Sequence, residues 1–249
     1  MSIRIAEPRT ATGPVAARAL ATWVPYAVLV AAAWWAMLAA MPAGPAPAGH
    51  AHGASHAGPA LSLGMWATMT LAMMAPTAVP MLRALIEVLA GRGLATWWGF
   101  VGGYGVAWLG WSAVAAAVQG AVGAWGGPLV GTEAARWGGA AVLAAAGLYQ
   151  FTSLKDRCLT ECLRPMTFLL AHWREGLRGG LAMGVRHGAA CVGCCWALMA
   201  LAFVGSLWSA ASMAVLTGLM VVEKAPAVGR RLTAPIGVVL VAAAALRAI

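Results

Sequence analysis

Apolar residues run through this chain in long, nearly unbroken stretches with only short polar segments between them. A helix needs about 20 mostly apolar residues to cross the hydrocarbon core of a bilayer. Seven stretches reach or approach that length, at roughly 22–41, 63–86, 95–122, 134–152, 180–204, 207–223 and 233–248. None shows the period-two alternation of a lipid-facing strand, so helices are expected throughout. The expected fold class is therefore all-α: a polytopic transmembrane bundle of about seven spans, or six if the first or last fails to cross.

Composition supports this. Of 249 residues, 62% are hydrophobic and 9% are Asp, Glu, Lys or Arg, against about 25% charged in an ordinary soluble domain. That scarcity excludes a soluble enzyme, a disordered chain and a secreted disulfide scaffold. The net charge of +9 does not imply nucleic acid, because the basic residues sit between apolar runs, where they act as orientation signals. With the N-terminus in the cytoplasm, the inner segments hold Arg4, Arg9, Arg18, Arg83, Arg92, Lys155, Arg157, Arg164, Arg174, Arg178, Lys224, Arg230 and Arg231. Arg136 and Arg247 fall outside and Arg186 lies in a span. The expected location is the bacterial inner membrane. A single transmembrane domain, 1–249, is expected, with an outer loop at 42–61 and an inner loop at 153–179. The sequence APA at 46–48 leaves a cleaved leader as the alternative to a first span.

The most informative string is MGVRHGAACVGCCWALMALAF, 183–203. On a helix advancing about 100° per residue, His187, Cys191, Cys194 and Cys195 fall within about 100° of arc. Met183 lies on the same side. The cysteines sit near mid-depth of the expected span. A single buried Cys packs as a small hydrophobe; three in five residues, with an imidazole one turn away, point to a functional cluster.

Other donors accompany it. In the second stretch Met65, Met69 and Met73 share one helical face, with Met74 beside them. Met also fills gaps in ordinary cores, but here Pro76 and Pro80 follow and should kink the helix, as in helices that line sites at membrane depth. In the outer loop GHAHGASHAG carries His50, His52 and His56, a metal-capture composition. In the inner loop Cys158 and Cys162 stand four apart and meet on one side if the segment is helical; Pro165 should end or kink that helix. These two are expected to form a separate cytoplasmic thiol pair. Glu223 and Lys224 read as boundary charges, and Gln119, Tyr104, Tyr149 and Gln150 as polar groups near span ends.

Soft sulfur donors suit Cu(I), Zn and Fe–S centres. In a dry site, a monovalent ion on one or two thiolates leaves little excess charge, which places copper first and zinc second. Walker loop, dinucleotide fingerprint and His-Glu-x-x-His are all missing. The expected role is metal transport, delivery or homeostasis, with a metallochaperone or metalloenzyme as recipient and self-association open through small-residue faces. Two other readings stay open. One is a membrane thiol-disulfide oxidoreductase using Cys191 and Cys194; the other is a structural subunit of a membrane complex.

The strings MWATMTLAMMAPT (65–77), LYQFTSLKDRCLTECLRP (148–165), GVRHGAACVGCCWALMALAFVG (184–205) and VVEK (221–224) resemble an uncharacterised bacterial family of predicted metal-binding integral membrane proteins. The resemblance spans about residues 60–225. It implies a polytopic inner-membrane protein that binds metal, and it implies no reaction. By matching position it implies Met73, Met74, Cys158, Cys162, His187, Cys191, Cys194 and Cys195 as candidate ligands. Leu163 departs from it, standing beside Cys162 where a basic residue is expected.

Overall fold

The computed structural model describes residues 14–40, 58–89, 93–126, 133–204 and 209–249, and every regular element in them is a helix. In chain order these are α1 (Pro14–Ala40), α2 (Pro59–Leu89), α3 (Leu94–Gly126), α4 (Glu133–Tyr149), α5 (Ser153–Leu163), α6 (Pro165–His172), α7 (Gly176–Met199) with a 3-10 turn at Ala200–Phe203, α8 (Ala210–Glu223) and α9 (Gly229–Ala248). Five segments are long and apolar enough to cross a membrane: Leu20–Ala40, Pro59–Leu89, Leu94–Val122, Gly176–Phe203 and Gly229–Ala248. The other two expected spans are shorter helices, 17 residues for α4 and 14 for α8. The outward faces of the long helices carry Val106, Leu109, Val114, Val118, Val238 and Val239, all exposed. Such a surface matches lipid better than water.

The 153–179 segment is mostly helical rather than a plain loop. Thr152 caps α5 by accepting a hydrogen bond from the Lys155 amide, which satisfies one of the unpaired N–H groups of a first turn. Pro165 then stops α5 and occupies the first position of α6, where its missing N–H costs nothing. The result is a short helix laid against the long α7.

The tightest helix pair is α3 with α7, and glycine spacing explains it. Gly99 and Gly103 of α3 face the backbone of Leu177 and Leu181, while Gly180 and Gly184 of α7 face the backbone of Thr96 and Phe100. A methyl group at any of these four positions would overlap backbone atoms. This reciprocal small-xxx-small arrangement lets two helix axes approach closely, so that van der Waals contact between the backbones holds the pair.

Helix α2 packs on α3 and α1 and touches α6 and α8. It runs unbroken through Pro76 and Pro80. Its carbonyls in that turn are claimed from outside: Tyr26 donates to the Ala75 carbonyl at 2.7 Å and Tyr104 to the Met74 carbonyl at 3.1 Å. Proline-containing turns in apolar surroundings are held in this way by side chains of neighbouring helices. Further along α2, Thr70 meets Ser112 at 2.9 Å, and Trp66 donates to Gln119 at 2.6 Å. Helices α4 and α9 form a second close pair at the flank.

Candidate metal centre

Helix α7 turns one face inward, and on it Met183, His187, Cys191, Cys194 and Cys195 are all buried. The stripe read from the sequence is therefore a real interior face. It faces α3 on one side and α5 on the other.

The sulfurs of Cys162, Cys191 and Cys194 lie within 4.8 Å of one another, and all three residues are buried. Cys194 Sγ is 3.9 Å from Cys162 Sγ and 3.3 Å from Cys195 Sγ. It also points to the Cys191 carbonyl at 3.2 Å. All five cysteines are free thiols. Thiolates bound to one ion at roughly 2.3 Å each can be at most about 4.6 Å apart, so small side-chain adjustments bring the three onto one cation. The donor set is soft, sulfur-only and closed off from water, which suits Cu(I) or Zn by chemistry.

Where the sequence groups Cys162 with Cys158, α5 brings it within reach of the thiols on α7. Cys158, one turn earlier, stays outside. It is half-buried, and its sulfur lies where a side chain at Gly193 would have to go. The bare backbone at Gly193 is thus what allows α5 to lie against α7 at this level. Cys158 opens on a shallow groove of about 350 Å³ shared with Arg157, Glu161 and Arg186.

His187 is buried but lies outside the sulfur group. Its ring is enclosed by Phe100, Tyr104 and Phe168, with centroids at 5.6, 6.1 and 5.2 Å. Its Nδ1 has no hydrogen-bond partner. Of the methionines, Met69, Met73 and Met74 are buried and Met65 is partly buried. Their helix reaches the thiols through intermediaries rather than by packing broadly on α7. His50, His52 and His56 lie outside the described residues.

Those intermediaries were not legible as site residues. Tyr104 places its hydroxyl 3.1 Å from Cys191 Sγ while donating to the Met74 carbonyl. Lys224 donates to Cys191 Sγ and to Thr77 Oγ1, both at 2.8 Å, and is buried. Thr77 in turn donates to the Met74 carbonyl at 2.8 Å. Beside it Lys155 and Glu223 form an ion pair at 2.8 Å, with both side chains wholly out of solvent. Three residues that composition places among loop or boundary charges are in fact interior. The single signal available was that Glu223 and Lys224 adjoin the apolar run of α8. On the far side, Tyr149 donates to the Gly193 carbonyl at 2.5 Å and stacks edge-on against Trp196, fixing the backbone between Cys191 and Cys194.

Residues 63–247 match a family model described as PpoB2, copper chaperone. No curated protein and no solved structure matches the chain.

Proposed function

We propose that this chain, which belongs to the PpoB2 copper chaperone family, is a multi-pass membrane protein that carries monovalent copper on the thiols of Cys162, Cys191 and Cys194. The observation that supports it is the convergence of Cys162, from a short peripheral helix, on two cysteines of a long buried one. Random burial of small hydrophobes does not call for three thiols from two helices within reach of one ion. Zinc is the second cargo that this donor set admits.

A chaperone must release as well as bind. Cys195, in contact with Cys194, and the unpartnered His187 Nδ1 one turn from Cys191 supply further donors for an ion changing ligands. Cys158, half-exposed at the groove, is the thiol through which a soluble recipient would exchange the ion. The buried Met69, Met73 and Met74 add thioether donors from the α2 side, and Met65 extends that row. We place the N-terminus and the α5 side in the cytoplasm, from the distribution of basic residues. On this orientation the His50, His52 and His56 segment gathers ions on the outer side.

The test is direct. The protein is purified in mild detergent and loaded with Cu(I) under anaerobic conditions, and bound copper and free thiols are counted. Replacing Cys162, Cys191 and Cys194 together by Ser is expected to abolish stoichiometric copper. Unchanged copper in that variant would defeat the proposal.

A further inference from the structure

Two lysines, Lys155 and Lys224, are buried, and they differ in what balances them. Lys155 is closed on by the Glu223 carboxylate, so that pair is neutral. Lys224 follows Glu223 in the chain, yet among the described residues no carboxylate pairs with it. Its contacts are the Thr77 hydroxyl and the Cys191 sulfur. Tyr104, whose hydroxyl meets the Cys191 sulfur, and Thr77, which meets the ammonium, are uncharged. An ammonium taken out of water costs several kcal/mol unless opposite charge meets it. The anionic chemistry at hand is that of the thiols, which ligate metals as thiolates.

We infer that Lys224 is the counter-charge of the loaded site and the residue that sets its preference for a monovalent soft cation held by two thiolates. This rests on the copper-carrier reading above. A monovalent ion on two thiolates carries one net negative charge, and the Lys224 ammonium brings the buried unit to neutrality. A divalent ion on the same two thiolates is already neutral, so Lys224 leaves it one positive charge in excess. A divalent ion regains neutrality only by drawing in the third thiolate. Because the ammonium sits on Cys191, the charge lies against a sulfur that belongs to two of the three thiolate pairs the group offers. Loading releases one proton for each thiol that becomes a thiolate, and no electron moves. Lys224 touches a ligand and not the ion, so it is a positioning residue.

The experiment measures Cu(I) and Zn(II) affinities of the full-length protein in detergent, each by competition with a chromophoric chelator. Lys224→Met and Lys224→Gln are compared with Lys224→Arg, in wild-type and Cys191→Ser backgrounds. Gln keeps a polar contact to Thr77 and removes only the charge, so it reads out the charge even if Met perturbs folding. We expect both neutral variants to lose about 100-fold in Cu(I) affinity. Zn(II) affinity should fall less, Arg should retain most of the Cu(I) affinity, and the neutral changes should cost little once Cys191 is Ser. Wild-type Cu(I) affinity in both neutral variants, or an equal loss for both metals, would overturn the inference while leaving the carrier reading intact. A wild-type protein that binds no Cu(I) overturns the carrier reading and this inference with it.

Discussion

Lys155 on α5 and Glu223 at the end of α8 meet at 2.8 Å with neither side chain exposed. The pair ties together two elements that each deliver a site residue: Cys162 lies two turns beyond Lys155, and Lys224 follows Glu223. Removing one partner from a buried pair leaves an uncompensated charge, which costs about 3–5 kcal/mol. Glu223→Ala is therefore expected to lower the thermal unfolding temperature in detergent sharply. The double change Lys155→Met with Glu223→Leu should recover most of the loss, since well-packed apolar replacements of buried pairs are often neutral. A double variant as unstable as the single one would show that the residues hold position by something other than charge.

The thiols should separate into two classes. Cys162, Cys191 and Cys194 share one site, so Cys162→Ser and Cys191→Ser are each expected to weaken copper binding by at least about tenfold. Cys158→Ser should leave stoichiometry and affinity near wild type, because that sulfur lies outside the group. Copper-to-protein ratios after desalting check both. A Cys158 variant that loses its copper would mean that the site extends to the groove.

Glycines of α3 divide in the same way. Gly103 faces the Leu181 and Val185 backbone, whereas Gly102 has nothing within 4 Å of where a Cβ would sit. Gly103→Val is expected to prevent the close approach of α3 and α7, at a cost of about 3 kcal/mol or more, and so to abolish a monodisperse elution profile. Gly102→Val should elute as wild type. Equal behaviour of the two would remove the interlocking glycines as the basis of the pairing.

The difference between these neighbours marks how far the chain could be read by pattern. Apolar run length found the long helices, and helical spacing found the inward face of His187, Cys191, Cys194 and Cys195, because both depend on local periodicity. Cys162 joining that face could not be found, since it depends on where a separate helix docks. Lys155 reads as an inner-loop charge, and Glu223 and Lys224 as boundary charges, because a charged residue between apolar runs normally reaches solvent. Only their long-range partners allow them inside: Lys155 and Glu223 pair with each other, and Lys224 meets a hydroxyl and a thiol on other helices. Tyr104 is likewise illegible by pattern: one hydroxyl in an apolar helix is uninformative until its Met74 and Cys191 neighbours are known.

Cys158 offers a pH-dependent readout at the groove. Burial pushes its thiol above the ordinary range, and the carboxylate of Glu161 adds to that shift. The thiolate is the nucleophile, so a raised value makes Cys158 slower than a free cysteine toward a water-soluble maleimide at neutral pH. The rate should climb about tenfold per pH unit across the range below its titration point, and continue climbing beyond the pH at which a free thiol levels off. Glu161→Gln removes the adjacent negative charge, lowers the titration point and speeds alkylation at any fixed pH below it, leaving the high-pH plateau unchanged. Mass spectrometry of timed, quenched reactions on the copper-loaded protein separates Cys158 from the buried thiols. If the Glu161→Gln profile overlays the wild-type one, the carboxylate has no hold on this thiol, and the groove beside it gives Cys158 no electrostatic tuning for exchange.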